Sequence, residues 1–208
     1  MYCLEFDSKR IVTGSRDRTI KIWSLETGKE LASFRRHTGS VLCLKFDKDW
    51  DIDDPSAPGF MVTGSSDCSI IVWTVLTNGS RAEVSAILNA HSGGVLDLRI
   101  DDKHIVSCSK DTLIRVWDRS TLRLLNTLEG HQGPVNAVGL QGNKVVSASG
   151  DGKMMMWDIT TGERLKTFEG HDRGLACIEF KVRLVLSNSF SKTMTLLSLG
   201  RLDRLRLE

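Results

Sequence analysis

Hydrophobic and polar positions alternate in short runs along most of this chain. Val41-Leu-Cys-Leu-Lys-Phe46 and Val95-Leu-Asp-Leu-Arg-Ile100 carry the two-residue period of half-buried strands. Ile105-Val-Ser107 and Lys144-Val-Val-Ser147 read as second strands, Ile114-Arg-Val-Trp117 as a third and Arg123-Leu-Leu-Asn-Thr-Leu128 as a fourth. Polar turns separate them, among them the Thr-Gly pairs Thr27-Gly28 and Thr161-Gly162 between third and fourth strands. No 3.6-residue apolar stripe stands out before the tail, so the pattern predicts strands throughout.

The runs repeat. An aspartate precedes a tryptophan by six residues four times: Asp17 and Trp23, Asp67 and Trp73, Asp111 and Trp117, Asp151 and Trp157. A histidine recurs between these blocks at His37, His91, His131 and His171, and 20 residues after the last three come Asp111, Asp151 and Ser191. Four antiparallel strands per unit of about 40–45 residues is the pattern of a WD40-type β-propeller blade. The expected fold is therefore all-β: a WD40 propeller with four clear four-stranded blades and a degenerate fifth, a partial propeller. The blades are expected at about 2–36, 37–90, 91–130, 131–170 and 171–199, within a repeat region of 1–200 followed by a tail over 201–208. Ser191 and Leu197 stand where the fifth unit should have Asp and Trp. Two insertions, 48–59 and 75–82, are expected to lengthen loops of the second blade at the end away from the histidines.

Hydroxyl, His and Asp side chains could suggest a nucleophilic triad. One copy per structural repeat argues instead for a structural tetrad. His from the loop before a blade, Asp from the turn between second and third strands, a strand hydroxyl (Ser15 or Thr13 in the first blade) and the Trp indole would form a hydrogen-bonded chain. The expected members are Asp17 and Trp23; His37, Asp67 and Trp73; His91, Asp111 and Trp117; His131, Asp151 and Trp157; and His171. No catalytic residue, cofactor or metal is expected. Asp49-x-Asp51-x-Asp53 opens like a calcium loop, but Asp54 occupies the glycine position and Phe60 the final glutamate position, so a solvated loop is the better reading.

A tetrad that gathers His loops and Asp turns at one end also defines a ring around the mouth there. The residue before each Asp, or its equivalent, is Arg16, Ser66, Lys110, Gly150 or Phe190. Five after each His, or its equivalent, come Tyr2, Leu42, Leu96, Asn136 and Ala176; three after come Ser40, Gly94, Pro134 and Gly174, with Arg173 beside the last. Arg16, Lys110 and Arg173 with Ser40, Ser66 and Asn136 form a candidate cradle for a phosphate or carboxylate, since hydrogen bonds to an ionised group are the strong ones.

Tyr2-Cys-Leu-Glu-Phe-Asp7, Ile20-Lys-Ile-Trp23, His37-Thr-Gly-Ser-Val-Leu-Cys-Leu44, Val146-Ser-Ala-Ser-Gly-Asp151 and His171-Asp-Arg-Gly-Leu-Ala-Cys177 resemble the propeller of F-box/WD-repeat proteins. The resemblance implies a substrate receptor of an SCF ubiquitin ligase that binds phosphorylated degron peptides on its top face. Skp1 and the cullin would be reached only through an F-box, which this chain does not carry. It implies degron-facing roles for Tyr2, Arg16, Ser40, Ser66, Leu96, Asn136, Gly150, Arg173 and Ala176, which coincide with the ring. That family closes with seven or more blades, so the chain reads as a fragment or as one part of a split propeller. The alternative is a generic WD40 scaffold, in signalling or RNA processing, without a ligase link.

Composition narrows the partners to proteins. Across 208 residues, 28 Lys and Arg against 26 Asp and Glu leave a charge of +2, without the basic excess of a dedicated nucleic-acid binder. No apolar run approaches the roughly 20 residues of a membrane helix, so no membrane partner is expected. Five scattered cysteines, Cys3, Cys43, Cys68, Cys108 and Cys177, and no secretory signal point to cytoplasm or nucleus.

Overall fold

The computed structural model describes residues 1–47, 58–76 and 81–178, together with the backbone of 180–181 and 195–196. Four antiparallel four-stranded sheets follow one another in chain order. The first holds β1 (Cys3–Phe6), β2 (Arg10–Gly14), β3 (Thr19–Ser24) and β4 (Glu30–Arg35); the second holds β5 (Val41–Phe46), β6 (Gly59–Ser65), β7 (Ile70–Leu76) and β8 (Arg81–Leu88). The third holds β9 (Val95–Ile100), β10 (His104–Ser109), β11 (Ile114–Asp118) and β12 (Leu124–Leu128); the fourth holds β13 (Val135–Gln141), β14 (Lys144–Ser149), β15 (Met154–Asp158) and β16 (Arg164–Phe168). A fifth, two-stranded ladder pairs β17 (Phe180–Lys181) with β18 (Thr195–Leu196). There is no helix among the described residues. This is the expected all-β blade array.

Each sheet is a simple meander because every connection is a short turn, and antiparallel neighbours need no crossover. Consecutive first strands, β1, β5, β9 and β13, lie beside one another, so they form the inner wall of the array. The sheets pack face to face. Val12, Ile20, Ile22 and Ala32 of the first sheet meet Leu44, Met61, Trp73 and Val75 of the second. The same arrangement recurs between second and third sheets around Val62, Val72, Leu98 and Trp117, and between third and fourth around Val106, Val116, Val138 and Trp157. In the second, third and fourth sheets the second and third strands are buried on both faces, which is why they read as near-continuous Val, Ile and Met runs. Each sheet thus has a forward face and a back face, and the tryptophan sits on the back face. The fourth sheet's forward face, with Val146, Ala148 and Met156, packs on Leu175 and Ile178.

One expectation needs correction. The insertion at 75–82 was expected to lengthen a loop, but its described ends are strand: β7 runs to Leu76 and β8 starts at Arg81, while 77–80 lie outside the described residues. Val75 pairs with Ala82 and Leu76 with Arg81, so these residues extend the hairpin. Val75 is fully buried and Ala82 packs against the core between the first two sheets, which explains why they pair rather than loop out. Residues 48–57, with the calcium-like aspartates and Trp50, lie outside the described residues. So do Phe190, Ser191, Leu197 and the tail 201–208.

Candidate functional site

The turn between second and third strands places one aspartate at the same end of each sheet. Local geometry sets it there: the residue after the Asp takes a left-handed conformation, with φ of 72° at Arg18, 70° at Cys68, 71° at Thr112 and 80° at Gly152. A serine two residues before the Asp ties the turn. Ser65, Ser109 and Ser149 accept the Asp67, Asp111 and Asp151 amides at 3.2, 3.0 and 3.2 Å. Ser109 and Ser149 also donate to the Gly93 and Gly133 carbonyls of the histidine loops, at 2.8 and 3.0 Å. The sequence reading missed this serine, although Ser15, Ser65, Ser109 and Ser149 keep one offset from the aspartate.

Three tetrads are complete. In the second sheet the Trp73 indole donates to Thr63 Oγ1 at 2.9 Å, Thr63 lies 2.9 Å from His37 Nε2, and His37 Nδ1 lies 3.1 Å from Asp67 Oδ2. In the third, Trp117 donates to Ser107 at 3.2 Å, Ser107 meets His91 Nε2 at 2.8 Å, and His91 Nδ1 meets Asp111 at 2.8 Å. In the fourth, Trp157, Ser147, His131 and Asp151 are linked at 2.9, 2.7 and 2.9 Å. The indole can only donate, so the hydroxyl accepts from it and donates its own proton to Nε2. In the second and fourth sheets that leaves the proton on Nδ1, which donates to the carboxylate; in the third, Arg115 Nη1 also lies 2.5 Å from His91 Nδ1.

The electrostatics agree. Burial pushes His37, His91 and His131 below the usual imidazole value despite the adjacent carboxylates. Burial alone would raise the aspartates, but their hydrogen bonds win. Ser69, His37 and the Thr38 amide hold Asp67 far down, and His91 with the Ser92 and Leu113 amides hold Asp111 at about 2. At neutral pH each tetrad is therefore a neutral imidazole on a carboxylate. In the three closed tetrads Thr63, Ser107 and Ser147 are fully buried between indole and imidazole, out of reach of a substrate. In the third sheet Arg115 adds a bond to Asp111 at 3.0 Å, a contact no repeat position announced.

The first sheet departs from the expected tetrad, and the His171 expectation is left without a described partner. In the first sheet Trp23 donates to Thr13 at 3.0 Å, so Thr13 rather than Ser15 is the hydroxyl. Asp17 is exposed and turns back on its own loop, accepting from the Thr19 amide and hydroxyl at 2.9 and 2.5 Å. No described histidine bonds it. His171 is likewise exposed, and position 191, its expected partner, lies outside the described residues.

The ring positions meet at the junctions between sheets. Ser40 donates its amide to Ser66 Oγ at 2.8 Å, and its hydroxyl reaches the Arg16 carbonyl at 3.5 Å. Lys110 bonds the Gly94 carbonyl at 3.0 Å, Gly150 bonds the Pro134 carbonyl at 2.8 Å, and Asn136 donates to the Leu175 carbonyl at 2.6 Å. Arg173 follows this edge beside the Gly152 turn. Tyr2, Arg16, Ser66, Lys110, Gly150 and Arg173 are exposed there, while Ser40, Leu96, Asn136 and Ala176 are half-buried. One end of the array thus presents three cations among hydroxyls and small apolar groups, with Ser66 and Lys110 on turns tied by closed tetrads.

The family profile described as WD domain, G-beta repeat matches residues 2–24, 28–74, 82–118 and 122–158. Mitochondrial division protein 1 of Vanderwaltozyma polyspora is 24% identical over 144 residues, covering 62% of this chain and 19% of the relative. The p21-activated protein kinase-interacting protein 1-like of Gallus gallus is 30% identical over 114 residues, covering 54% of this chain and 27% of the relative. The chain thus spans about a fifth to a quarter of the length of these relatives. In solved structures, the computationally designed Ika8 protein superposes with a TM-score of 0.73 at 33% identity, over 86% of this chain and 52% of that one. These likenesses extend across WD-repeat proteins of different kinds and do not single out the F-box branch.

Proposed function

This chain belongs to the WD40-repeat family, and from that premise we propose that it is a protein-interaction scaffold without catalytic activity, its partner site lying on the end of the sheets that carries the histidine loops. The tetrad geometry carries this reading. In the second, third and fourth sheets the recurrent polar residues are occupied in holding loops, which fixes the turns carrying Ser66, Lys110 and Gly150, and exposed Arg16 and Arg173 flank them. A fixed rim is what a binding surface needs, because little ordering entropy is lost on association. The name of the kinase-interacting relative supports a protein as the partner class.

The narrower form is a receptor for phosphorylated degron peptides within an SCF ligase. It draws on the three cations and on the resemblance to F-box/WD-repeat proteins; the comparisons favour the broader scaffold. Titration of a phosphoserine peptide and its unphosphorylated twin distinguishes the forms. A preference for the phosphorylated peptide that is lost in Arg16→Glu, Lys110→Glu, Arg173→Glu supports the narrower one. Equal affinity retires it and leaves the scaffold.

A further inference from the structure

Four arginines gather at the corner where the outer edge of the first sheet meets the histidine loops. Arg16 and Arg18 sit on the turn between β2 and β3; Arg35 ends β4, and Arg36 leads from it into His37. Thr19 pairs with Arg35, which brings the two pairs of arginines together. All four are exposed, and none forms an ion pair with a described carboxylate. Asp17, between the first two, turns to the Thr19 amide and hydroxyl at 2.9 and 2.5 Å. Asp67 is engaged by His37 and the Thr38 amide.

The repeat supplies the comparison. At these four positions the second sheet has Ser66, Cys68, Asn89 and Ala90, without charge. The third has one cation, Lys110, against Glu129; the fourth has Glu169, paired with Lys153 at 2.7 Å, and no cation. Cover by a neighbouring sheet does not close this corner: Asn89, Glu129 and Glu169 are exposed although the back faces of their sheets are packed. The corner is also held in place. Arg18 occupies a left-handed turn at φ 72°, and Arg36 adjoins His37, which the second tetrad locks. Like charges gathered on a fixed frame repel one another and favour an anionic partner at little ordering cost.

We infer that this corner docks an acidic protein segment, a short extended run of Asp and Glu side chains whose carboxylates pair with the guanidinium groups. Four cations spread over two elements suit several spaced carboxylates better than one phosphate group. Two observations favour protein over nucleic acid. A phosphate backbone needs a basic stripe to follow, and the corresponding corners turn neutral at Asn89 and acidic at Glu129 and Glu169. The chain as a whole carries only +2. The inference rests on the reading of this end as the partner side, but not on the rim cations Lys110 and Arg173.

The test is fluorescence anisotropy of a labelled hexaglutamate peptide titrated with the whole 208-residue chain at low salt, beside hexaglutamine and a single-stranded RNA of equal charge. The corner variant is Arg18→Thr/Arg35→Asn/Arg36→Ala. Each new side chain already stands at the same position of another sheet, at Thr112, Asn89 and Ala90, so it suits the fold. The rim control is Lys110→Ser/Arg173→Ser. Hexaglutamate is expected to bind the wild type, to bind the corner variant about tenfold more weakly, to stay within about twofold for the rim control, and to be released by high salt. Should the triple variant lose its circular dichroism spectrum, Arg35→Asn/Arg36→Ala alone must weaken binding about threefold. No binding of hexaglutamate, equal binding of hexaglutamine, tighter binding of the RNA, or a corner variant that binds as well as the rim control would each overturn the docking site. Loss in the rim control alone would overturn it while leaving the rim as the partner surface.

Discussion

Thr63→Val and Thr13→Val are one substitution at one repeat position, yet they should differ sharply in cost. Valine keeps the shape and removes the hydroxyl. In the second sheet that hydroxyl serves two buried partners, accepting from Trp73 at 2.9 Å and meeting His37 Nε2 at 2.9 Å. Thr63 and His37 are 0% and 3% exposed, so water cannot replace it. Each buried group left unpaired costs about 1–3 kcal/mol, which puts Thr63→Val at ~2–6 kcal/mol, a large part of the stability of a domain this size. In the first sheet the same hydroxyl has only Trp23, which is half-buried and can turn to solvent, so Thr13→Val should cost less than ~1 kcal/mol. Urea melts followed by circular dichroism give both values from midpoints at a common slope. Equal costs, or a larger cost at Thr13, would refute the claim that the closed tetrads lock the loops.

The left-handed turn position makes a second matched pair. Gly152→Ala adds a Cβ 2.8 Å from the His171 carbonyl at φ 80° and should destabilise by more than ~1 kcal/mol, whereas Thr112→Gly relieves a β-branched residue at φ 71° and should stabilise by ~0.5–1 kcal/mol, both read from thermal midpoints. Acid should weaken the protein early. Burial holds His37, His91 and His131 neutral in the folded state, so below the unfolded value of about 6.5 the unfolded chain binds more protons, and each histidine removes at most about 1.4 kcal/mol per pH unit. The depressed aspartates, Asp111 at about 2 among them, extend the loss below about pH 4. Urea midpoints should drop from pH 7.5 to 5.5; an unchanged or higher midpoint would contradict the neutral imidazoles.

The repeat itself was plain in the sequence because local wiring leaves a fixed spacing. Asp-to-Trp and His-to-Asp offsets are set by turn and strand lengths, so spacing alone connects Asp111, His91 and Trp117. Face coverage leaves no such mark. Trp23 stands in the same motif as Trp73, yet only the neighbouring sheet decides that one is half-buried and the other sealed. Arg115 was invisible for a similar reason. Its position is Ile71 in the second sheet and Met155 in the fourth, and only the fold brings it to Asp111. The pairing of 75–76 with 81–82 was misread because an insertion lengthens a loop or two strands alike, and the burial of Val75 chooses between them.

The partner surface proposed here is the histidine-loop end of the sheets. A photo-crosslinking residue placed at Ser66 on that end, and separately at Leu125 on an outer strand, tests this in one experiment on the whole chain. Discrete protein adducts from Ser66, reduced when Arg16, Lys110 and Arg173 are reversed in charge, are the predicted result. Adducts from Leu125 with none from Ser66 would contradict it.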